Sequence, residues 1–364
     1  MDTVHNYKVL EHKAAGHDGT LTDVDGLLIF KPALPQELEF YKAIQARDMS
    51  RKEVPAGGDA PLHSWMPTCL GVLDEGTEVG KGGDAALLKI DQRLSDSTDK
   101  LDSTPLRSDS GKQYIVLENL LHGFTKPNVL DIKLGKILYD SKASLEKKER
   151  LKRVSETTTS GSLCFRICGM KIQKNPSVLE QLSPEYYEEE AETDYIFINK
   201  LFGRSRTDEN ISDAIDLYFN SAHLSDVRKH QLKKMFLQRL QLFYNTILEE
   251  EVRMISSSLL FIYEGDPKRW DLSDDVDQLM RKAFIDNNDD DDDDDDEGDG
   301  DGDGDGDGDG DDGEGNGESK DKVMSCLSSM SLIDFAHAEV TPGKGYDENV
   351  IEGVENLLDI FMKF

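Results

Sequence analysis

A short apolar strand that carries one acid and one base is predicted at Pro127-Asn128-Val129-Leu130-Asp131-Ile132-Lys133-Leu134-Gly135. Asp131 and Lys133 are two residues apart, so both side chains project from the same face of the strand. Gly135 then permits a tight turn out of it. By spacing alone, the pair is compatible with a solvated surface ion pair as well as with a catalytic acid and base.

Two other segments favour the catalytic alternative. Lys31 ends a predicted strand, and the helix predicted after it begins with Glu37 and Glu39. Either glutamate could hold the lysine against a nucleotide phosphate, and the sequence leaves open which one does so. Far downstream, Asp334 follows an apolar pair and precedes an aromatic residue. That is the context in which kinase-like enzymes hold Mg²⁺.

The charge of the chain is concentrated in one tract. The 364 residues carry a formal net charge of −32. Residues 286–322 contain 21 acidic and 2 basic side chains, a net of −19, and include the eight consecutive aspartates Asp289–Asp296. The other 327 residues contain 53 acidic and 40 basic side chains, a net of −13. The tract is therefore predicted to be disordered, and a global basic surface for direct binding of nucleic acid is excluded.

The composition also limits the class of protein. No apolar run approaches the ~20 residues that span a bilayer, and the first residues lack the pattern of a signal peptide. Four cysteines in a chain of this length are typical of reduced thiols rather than of a disulfide framework. We therefore expect a soluble intracellular protein without a membrane anchor. No coiled-coil pattern is present, which favours a monomer.

The spacing of apolar residues predicts strands and one helix before residue 125, and mostly helices after it. Strands are predicted at Gly26–Lys31, Ala85–Ile90, Tyr114–Glu118 and Ser258–Glu264. Helices are predicted at Gln36–Arg47, Leu224–Glu251 and, as an amphipathic segment, Asp347–Phe364. Polar stretches at Asp48–Asp59 and Asp91–Lys112 are predicted to be surface loops.

These elements predict an α+β fold with two lobes. We expect residues 1–125 to form a β-rich N-terminal lobe and residues 126–285 to form the first part of a helix-rich C-terminal lobe. The acidic tract at 286–322 is an insertion. Residues 323–364 are expected to complete the C-terminal lobe with Asp334 and a C-terminal helix.

Four motifs resemble, in the same order, those of the inositol phosphate kinase family. The first is Pro127…Asp131-Ile132-Lys133…Gly135, which matches the family signature Pro-x-x-x-Asp-x-Lys-x-Gly. The others are Gly161–Lys171, Ser257–Leu260 and Ile333–His337. The short N-terminal lobe and the Asp-rich insertion are similar to the multikinase branch of that family. Cys164 is a departure, because the family often has glycine at this position.

The resemblance implies a protein-kinase-like fold with ATP bound between the lobes and Mg²⁺ as the second cofactor. Lys31 would contact the ATP phosphates. Glu118 and Leu120 would offer backbone groups of the interlobe hinge to adenine, and Asn119 would lie near the ribose. Asp334 would bind Mg²⁺ across the phosphates.

The resemblance also implies the chemistry of transfer. Asp131 would orient and deprotonate the attacking hydroxyl, and Lys133 would stabilise the charge on the transferring group. Ser258, which precedes an apolar strand, would lie near the metal, although a serine at the start of a strand is as often structural. The expected reaction is the stepwise phosphorylation of inositol 1,4,5-trisphosphate to tetrakis- and pentakisphosphates.

A soluble inositol polyphosphate needs cations, because each phosphate carries nearly two negative charges. The chain supplies a basic run at Lys142, Lys147, Lys148, Arg150, Lys152 and Arg153. Lys147 and Arg150 share one helix face. Together with Lys133, Lys171 and Lys200, they are the predicted substrate-binding residues. The alternative for each cation of the run is a solvated helix face paired with neighbouring glutamates.

A second hypothesis is non-catalytic. In it the protein is an acidic scaffold that binds basic nuclear proteins, such as transcription factors, through residues 286–322, and both roles can coexist in one chain. The resemblance favours the nucleus, with the cytoplasm as a second location. A protein or lipid kinase is less favoured, because the sequence has no His-Arg-Asp catalytic loop.

Overall fold

Two antiparallel sheets form the framework of the two lobes. The computed structural model describes residues 7–9, 20–49, 60–74, 113–220, 223–282, 284 and 326–364. The N-terminal sheet consists of β1 (Tyr7–Val9), β2 (Leu21–Asp23), β3 (Leu28–Pro32), β4 (Cys69–Asp74) and β5 (Gln113–Glu118). Its strand order is β1-β2-β3-β5-β4, so the strand that carries Lys31 lies in the middle.

The C-terminal sheet is built around the strand that carries Asp131 and Lys133. It consists of β6 (Pro127–Leu134), β7 (Phe165–Gln173), β8 (Tyr187–Glu189), β9 (Tyr195–Ile198), β11 (Ser258–Glu264) and β12 (Ser328–Ile333). The strand order is β12-β11-β6-β7-β9-β8. Leu130, Ile132 and Leu134 are fully buried on one face of β6, and this alternation turns Asp131 and Lys133 to the opposite face.

Helices and a small two-stranded sheet pack around this framework. The small sheet pairs β10 (Val252–Met254) with β13 (Ala338–Val340). The helices are α1 (Pro35–Met49), α2 (Leu145–Glu156), α3 (Thr159–Leu163), α4 (Pro176–Leu179), α5 (Lys200–Arg204), α6 (Ile211–Tyr218), α7 (Asp226–Leu248), α8 (Pro267–Leu272) and α9 (Glu348–Phe361). Leu62–Trp65 and Pro184–Tyr186 are short 3₁₀ turns.

The core of the C-terminal lobe is aromatic where α7 and α9 meet the large sheet. Phe361 of α9 stacks on Phe261 of β11, with ring centroids 5.9 Å apart. Phe236 of α7 meets Phe261 edge-on at 5.2 Å. Aromatic pairs in these geometries contribute about 0.5–1.5 kcal/mol beyond the burial of their area. The C-terminal helix is therefore an integral part of this lobe.

Polar side chains of the N-terminal lobe bind the end of α7. The indole of Trp65 donates to Thr246 Oγ1 at 3.1 Å. The guanidinium of Arg47 donates to both carboxylate oxygens of Glu250, at 2.6 and 2.9 Å. Glu250 is buried, so removing the arginine would leave a buried charge without its partner. These contacts couple the two lobes.

Arg239 on α7 holds the chain on both sides of the acidic tract. Its guanidinium donates to Ser328 Oγ at 2.6 Å and to the Ser328 carbonyl at 2.9 Å. It also donates to the carboxylate of Asp277 at 3.2 Å. Asp277 in turn accepts from the backbone N–H groups of Leu327 and Ser328. The chain before residue 285 and the chain after residue 325 are therefore fixed at one place on the lobe.

The predicted fold class is confirmed, with small shifts at the ends of elements. The predicted strand Ser258–Glu264 is observed with the same bounds. The helix predicted at Leu224–Glu251 spans Asp226–Leu248, because Ser225 caps its first turn by accepting from Arg228 N. The predicted strand at Ala85–Ile90, the loop at Asp91–Lys112 and the acidic tract at 286–322 lie outside the described residues. Within the part that is described, no helix is long and apolar enough to cross a membrane.

Candidate active site

Lys31 forms the centre of an ion-pair cluster between the lobes. Its Nζ lies 2.8 Å from Glu37 Oε1 on α1 and 2.9 Å from Asp334 Oδ1, which follows β12. Glu37 is fully buried, whereas Glu39 is exposed. The glutamate that holds Lys31 is therefore Glu37. Burial would lower the pKa of Lys31, but the carboxylates of Asp334 and Glu37 outweigh burial and raise it, so the ammonium stays charged.

The backbone at Asp334 adopts a conformation that side chains rarely allow. Its φ is +66°, and a left-handed residue other than glycine costs about 1–2 kcal/mol. The next residue is held in place. Glu37 Oε1 accepts from Phe335 N at 3.3 Å, and the Phe335 ring stacks on Phe40 at 5.0 Å. The strain at Asp334 is thus maintained by contacts of α1, which fix the direction of its carboxylate.

Asp131 is a buried carboxyl next to this cluster. It is only 3% exposed, and burial raises its pKa to about 6, with Lys133 opposing and Asp334 reinforcing the shift. The Nζ of Lys133 donates to the Ser256 carbonyl at 2.5 Å, which holds the ammonium beside Asp131. A carboxyl with a pKa near neutrality can accept a proton in a reaction at physiological pH.

The register of the large sheet places polar side chains beside Asp131. Lys133 pairs with Ser258 on β11, and Asp131 pairs with Leu260, which in turn pairs with Ser331 on β12. Asp131 Oδ1 and Ser331 Oγ are buried atoms that lack a hydrogen-bond partner among the described residues, and the buried Ser258 hydroxyl lies close enough to the Asp131 carboxyl to oppose the rise of its pKa. Buried polar atoms are costly without a partner. Their presence together is typical of a site completed by a ligand.

An apolar cluster lies between the hinge and the same face of the sheet. Val129 and Ile262 are buried there, and the hinge side chains Leu120, Leu121 and Phe124 pack against them. Val129 is two residues before Asp131 on β6, so the apolar cluster and the catalytic candidates share one strand face. This arrangement offers an apolar floor to a planar ring beside a polar end suited to phosphates.

The hinge residues are fixed by their own side chains. Glu118 forms an ion pair with Arg281 and accepts from Thr68 N at 3.0 Å. The carboxamide of Asn119 donates to the Gly26 carbonyl at 2.7 Å and accepts from Leu121 N at 3.1 Å. The Asn119 side chain thus braces the hinge against the β2–β3 turn. The contacts predicted for Glu118, Asn119 and Leu120 with a nucleotide stay predictions.

The helical run predicted at Lys142–Arg153 is observed from Leu145 onward as α2, which lies close to the catalytic strand, whereas Lys142 precedes the helix. Ser144 caps it by accepting from Lys147 N. Lys147 is half-buried and Arg150 is exposed. At the other end of α2, Ser155 Oγ donates to the Lys136 carbonyl at 2.7 Å. The helix that carries the predicted substrate cations is therefore attached to the segment that directly follows Lys133.

Two of the predicted substrate-binding residues, Lys171 and Lys200, lie apart from Asp131 and Lys133. Lys171 pairs in register with Val129, whereas Arg166 pairs with Lys133. The Lys171 ammonium lies 3.5 Å from Glu190 Oε2 and 4.7 Å from the centre of the Tyr195 ring. Its pKa is lowered by burial despite Glu190. Lys200 is exposed on the first turn of α5. The structure does not bring either lysine into the Asp131–Lys133 cluster, and their substrate roles stay predictions.

Four side chains to which the sequence assigned no role at the nucleotide site line a cavity next to it; two of them, Lys142 and His337, lie in segments named above as the basic run and a family motif. Gln36 of α1, Lys142, His337 and Asp140 line a cavity of about 620 Å³. The His337 Nδ1 lies 2.7 Å from Asp140 Oδ2, and Lys142 Nζ donates to Gln36 Oε1 at 3.1 Å. Gln36 and His337 are sequence neighbours of Glu37 and Asp334, and this proximity is the signal that could have found them.

Arg166 is a further cation that sequence reasoning passed over. It is buried beside Lys133 on the neighbouring strand β7, and its Nη1 donates to Ser160 Oγ at 2.7 Å. Its positive charge opposes the rise of the Asp131 pKa that burial causes. The matched segment Gly161–Lys171 contained it, but nothing local distinguished it from a surface arginine.

The family model and the related sequences all belong to inositol polyphosphate kinases. Residues 114–362 match the family model for inositol polyphosphate kinase. The chain is 77% identical over 365 residues to the inositol polyphosphate multikinase of Saccharomyces cerevisiae, with all of both chains covered. It is 30% identical over 257 residues to the inositol polyphosphate multikinase of Schizosaccharomyces pombe, covering 71% of this chain and 79% of that one.

A solved structure shares the fold. The crystal structure of the inositol phosphate multikinase Ipk2 from S. cerevisiae, in complex with ADP and Mn²⁺, superposes with a TM-score of 0.68 at 63% identity. The match covers 93% of this chain and 99% of that chain. By both its sequence and its fold, the chain belongs to the inositol polyphosphate kinase family.

Proposed function

We propose that the protein transfers the γ-phosphoryl group of ATP to ring hydroxyls of soluble inositol polyphosphates. It would convert inositol 1,4,5-trisphosphate stepwise into tetrakis- and pentakisphosphates. The observation that carries the proposal is that the buried Asp131, with Lys133 beside it, faces the same cleft as the Lys31–Glu37–Asp334 cluster. The names of the relatives, inositol polyphosphate multikinases, support the class of substrate.

The nucleotide is assigned to the cleft between the sheets. Adenine would rest on the apolar cluster of Val129, Ile262 and the hinge, and Lys31 would contact the phosphates. Lys31 keeps its charge in this site and is held by Glu37, so little side-chain entropy is lost when it meets a phosphate. The ADP in the related S. cerevisiae structure supports this assignment.

The donor set fits a hard divalent cation. Asp334 offers a carboxylate beside Lys31, Asp131 Oδ1 is a buried oxygen without a partner among the described side chains, and the Ser258 hydroxyl lies beside the Asp131 carboxyl. Carboxylate and hydroxyl oxygens are ligands of Mg²⁺, and the related structure holds Mn²⁺. When bound, the cation would neutralise charge on the phosphates. Asp334 would hold it, with Ser258 nearby.

The side chains of this site then divide the work of transfer. The attacking ring hydroxyl forms a bond to the γ-phosphorus, the bond to the leaving ADP oxygen breaks, and the hydroxyl proton passes to Asp131. Because the pKa of Asp131 is about 6, the carboxylate is largely ionised at pH 7 and can accept that proton. Lys133, on the same strand face, would offset negative charge on the transferring group.

The substrate is expected to enter from the side of α2. Lys147 and Arg150 on that helix would bind ring phosphates, and Lys133 would reach the phosphate next to the attacking hydroxyl. The attachment of Ser155 to the Lys136 carbonyl places the helix next to the catalytic strand. A local cationic surface on an acidic protein also steers polyanions to one cleft.

A direct assay tests the proposed function. The full chain is incubated with ATP, Mg²⁺ and inositol 1,4,5-trisphosphate, and the products are separated by anion exchange. We expect tetrakis- and then pentakisphosphates, with one ADP released for each phosphate added. Parallel reactions with a phosphoinositide vesicle or a basic protein in place of the trisphosphate serve as comparisons. Transfer to either of these, without any to the soluble trisphosphate, would contradict the proposal.

We propose a second role for the acidic tract, in binding basic nuclear proteins, on the ground of its net charge of −19. Arg239 and Asp277 hold the chain on both sides of the tract at one place, so a short Gly-Ser linker can replace residues 286–322. We expect this variant to retain kinase activity and to lose salt-sensitive binding to a basic protein such as a histone. Loss of catalysis would assign the tract to the enzyme instead. A fluorescent fusion would test the predicted nuclear location.

A further inference from the structure

The segment that leaves the catalytic strand, residues 135–138, is fixed by hydrogen bonds from several parts of the chain. We call it the exit loop. Gly135 N donates to the Cys164 carbonyl at 2.6 Å. The Lys136 carbonyl accepts from Ser155 on α2, and the Leu138 carbonyl accepts from Ser256 Oγ at 3.1 Å. The exit loop therefore joins Lys133 to the helix that carries the predicted substrate cations.

One side chain provides the remaining contacts of this loop. Asn349 Oδ1 accepts from both Lys136 N and Ile137 N, each at 2.7 Å. Its Nδ2 donates to the Ile137 carbonyl at 3.3 Å. Asn349 lies on the first turn of α9, which Asp347 caps by accepting from Asn349 N. A single carboxamide thus binds three backbone groups of two consecutive residues, which fixes both position and orientation.

Close packing reinforces these hydrogen bonds. Gly135 has a φ of +96°, and a Cβ built on it would lie 2.4 Å from Asn349 Nδ2. A Cβ at this position would displace the Asn349 carboxamide from the exit loop, so the glycine of the signature leaves room for Asn349 and also permits the positive φ of its own backbone. Asn349 therefore both hydrogen-bonds to the exit loop and packs closely against Gly135.

We propose that Asn349 is a positioning residue for the inositol phosphate. Acting through the exit loop, it would set the placement of α2, with Lys147 and Arg150, relative to Asp131 and Lys133. This inference rests on the proposed function. A shift of about 1 Å between a bound ring and a catalytic group can cost about 100-fold in rate. In the described part of the chain, Asn349 makes no such contact with the Lys31–Glu37–Asp334 cluster. Replacing Asn349 should therefore change the kinetics with the inositol phosphate and not those with ATP.

A second asparagine on α9 serves as a control that distinguishes positioning of the exit loop from docking of the helix. Asn356 Nδ2 donates to the Leu163 carbonyl at 3.0 Å, so it also attaches α9 to the lobe but makes no contact with the exit loop. Both asparagines lie beside the apolar face that docks α9 into the core. Replacing either one by alanine removes a side-chain amide and leaves that apolar face intact.

The test is steady-state kinetics of Asn349→Ala, Asn349→Asp and Asn356→Ala in the full chain, with inositol 1,4,5-trisphosphate and ATP varied in turn. We expect Asn349→Ala to lower kcat/KM for the trisphosphate about 10- to 100-fold and to change KM for ATP by less than about twofold. Asn349→Asp keeps an acceptor for both N–H groups and an acid near a helix N-terminus, so it should recover most of the lost activity. Asn356→Ala should be within about twofold of wild type.

Three outcomes would overturn the inference. Asn349→Ala with unchanged kinetics contradicts the positioning role. So do equal losses in Asn349→Ala and Asn356→Ala that follow a shared fall in melting temperature, because that result shows a purely structural role. A wild-type chain that does not phosphorylate the trisphosphate overturns the proposed function and this inference together.

Discussion

Replacement of Asp131 by asparagine is expected to remove nearly all phosphoryl transfer and to leave the fold intact and more stable at pH 7. The amide has the same shape as the carboxylate but cannot accept the hydroxyl proton. A positioned general base contributes about 10²- to 10⁴-fold, so we expect kcat to fall by about that factor. Phosphorylation of inositol trisphosphate by Asp131→Asn at a rate within about tenfold of wild type would refute the assignment of Asp131 as the base.

The gain in stability follows from the pKa of the same group. Burial raises the pKa of Asp131 from the ordinary 3.8 to about 6 in the folded protein. At pH 7 the folded chain therefore holds an ionised carboxyl that disfavours folding by up to about 3 kcal/mol, and asparagine removes this cost. The cost is full above pH 6, shrinks as the pH falls towards 4 and is absent below it. The stability difference between variant and wild type should follow the same course.

Urea unfolding of both proteins between pH 4 and pH 8 measures this difference. Asp213, an exposed acid on the first turn of α6, supplies a matched control. Asp213→Asn should change the free energy of unfolding by less than about 1 kcal/mol at any of these pH values, and kcat should stay at the wild-type value. A variant at Asp131 that is less stable than wild type at pH 7 would contradict the burial argument.

The sequence was most informative about which face of a strand or helix a side chain occupies, because local geometry decides this. The spacing of two on an apolar strand placed Asp131 and Lys133 on one face, and the burial of Leu130, Ile132 and Leu134 confirms that these residues occupy the other face. The choice between Glu37 and Glu39 could also have been made. Glu37 is four residues before Tyr41 and seven before Ile44, so it shares the apolar face of α1, whereas Glu39 does not.

Contacts between distant segments were not accessible in this way. The contact of Lys171 with Glu190 depends on the pairing of β9 with β7 and of β8 with β9, and the contact of Glu118 with Arg281 joins residues 163 positions apart. Asn349 gave no signal, because an asparagine near a helix start is usually explained by capping alone. Such contacts follow from the tertiary arrangement, which no local pattern encodes.

Replacement of Lys31 by methionine is expected to damage both stability and catalysis. The variant leaves the fully buried Glu37 without its cation, and breaking a buried ion pair from one side costs about 3–5 kcal/mol. It also removes the ammonium that would contact the ATP phosphates. Loss of one preorganised charge of this kind lowers kcat by about 10²- to 10³-fold. Urea unfolding and initial rates at saturating substrate measure the two effects separately.

The double variant Lys31→Met/Glu37→Met tells the two effects apart. Replacing both partners of a buried pair by apolar residues of similar volume is often neutral or stabilising, so we expect most of the lost stability to return. Activity should stay as low as in Lys31→Met, because the double variant still lacks the ammonium that would contact the ATP phosphates. Lys42→Met, at an exposed lysine on α1, should behave as wild type in both measurements. If the double variant recovered its activity along with its stability, Lys31 would be a structural residue, and the nucleotide phosphates would have to be held by other cations of the cleft.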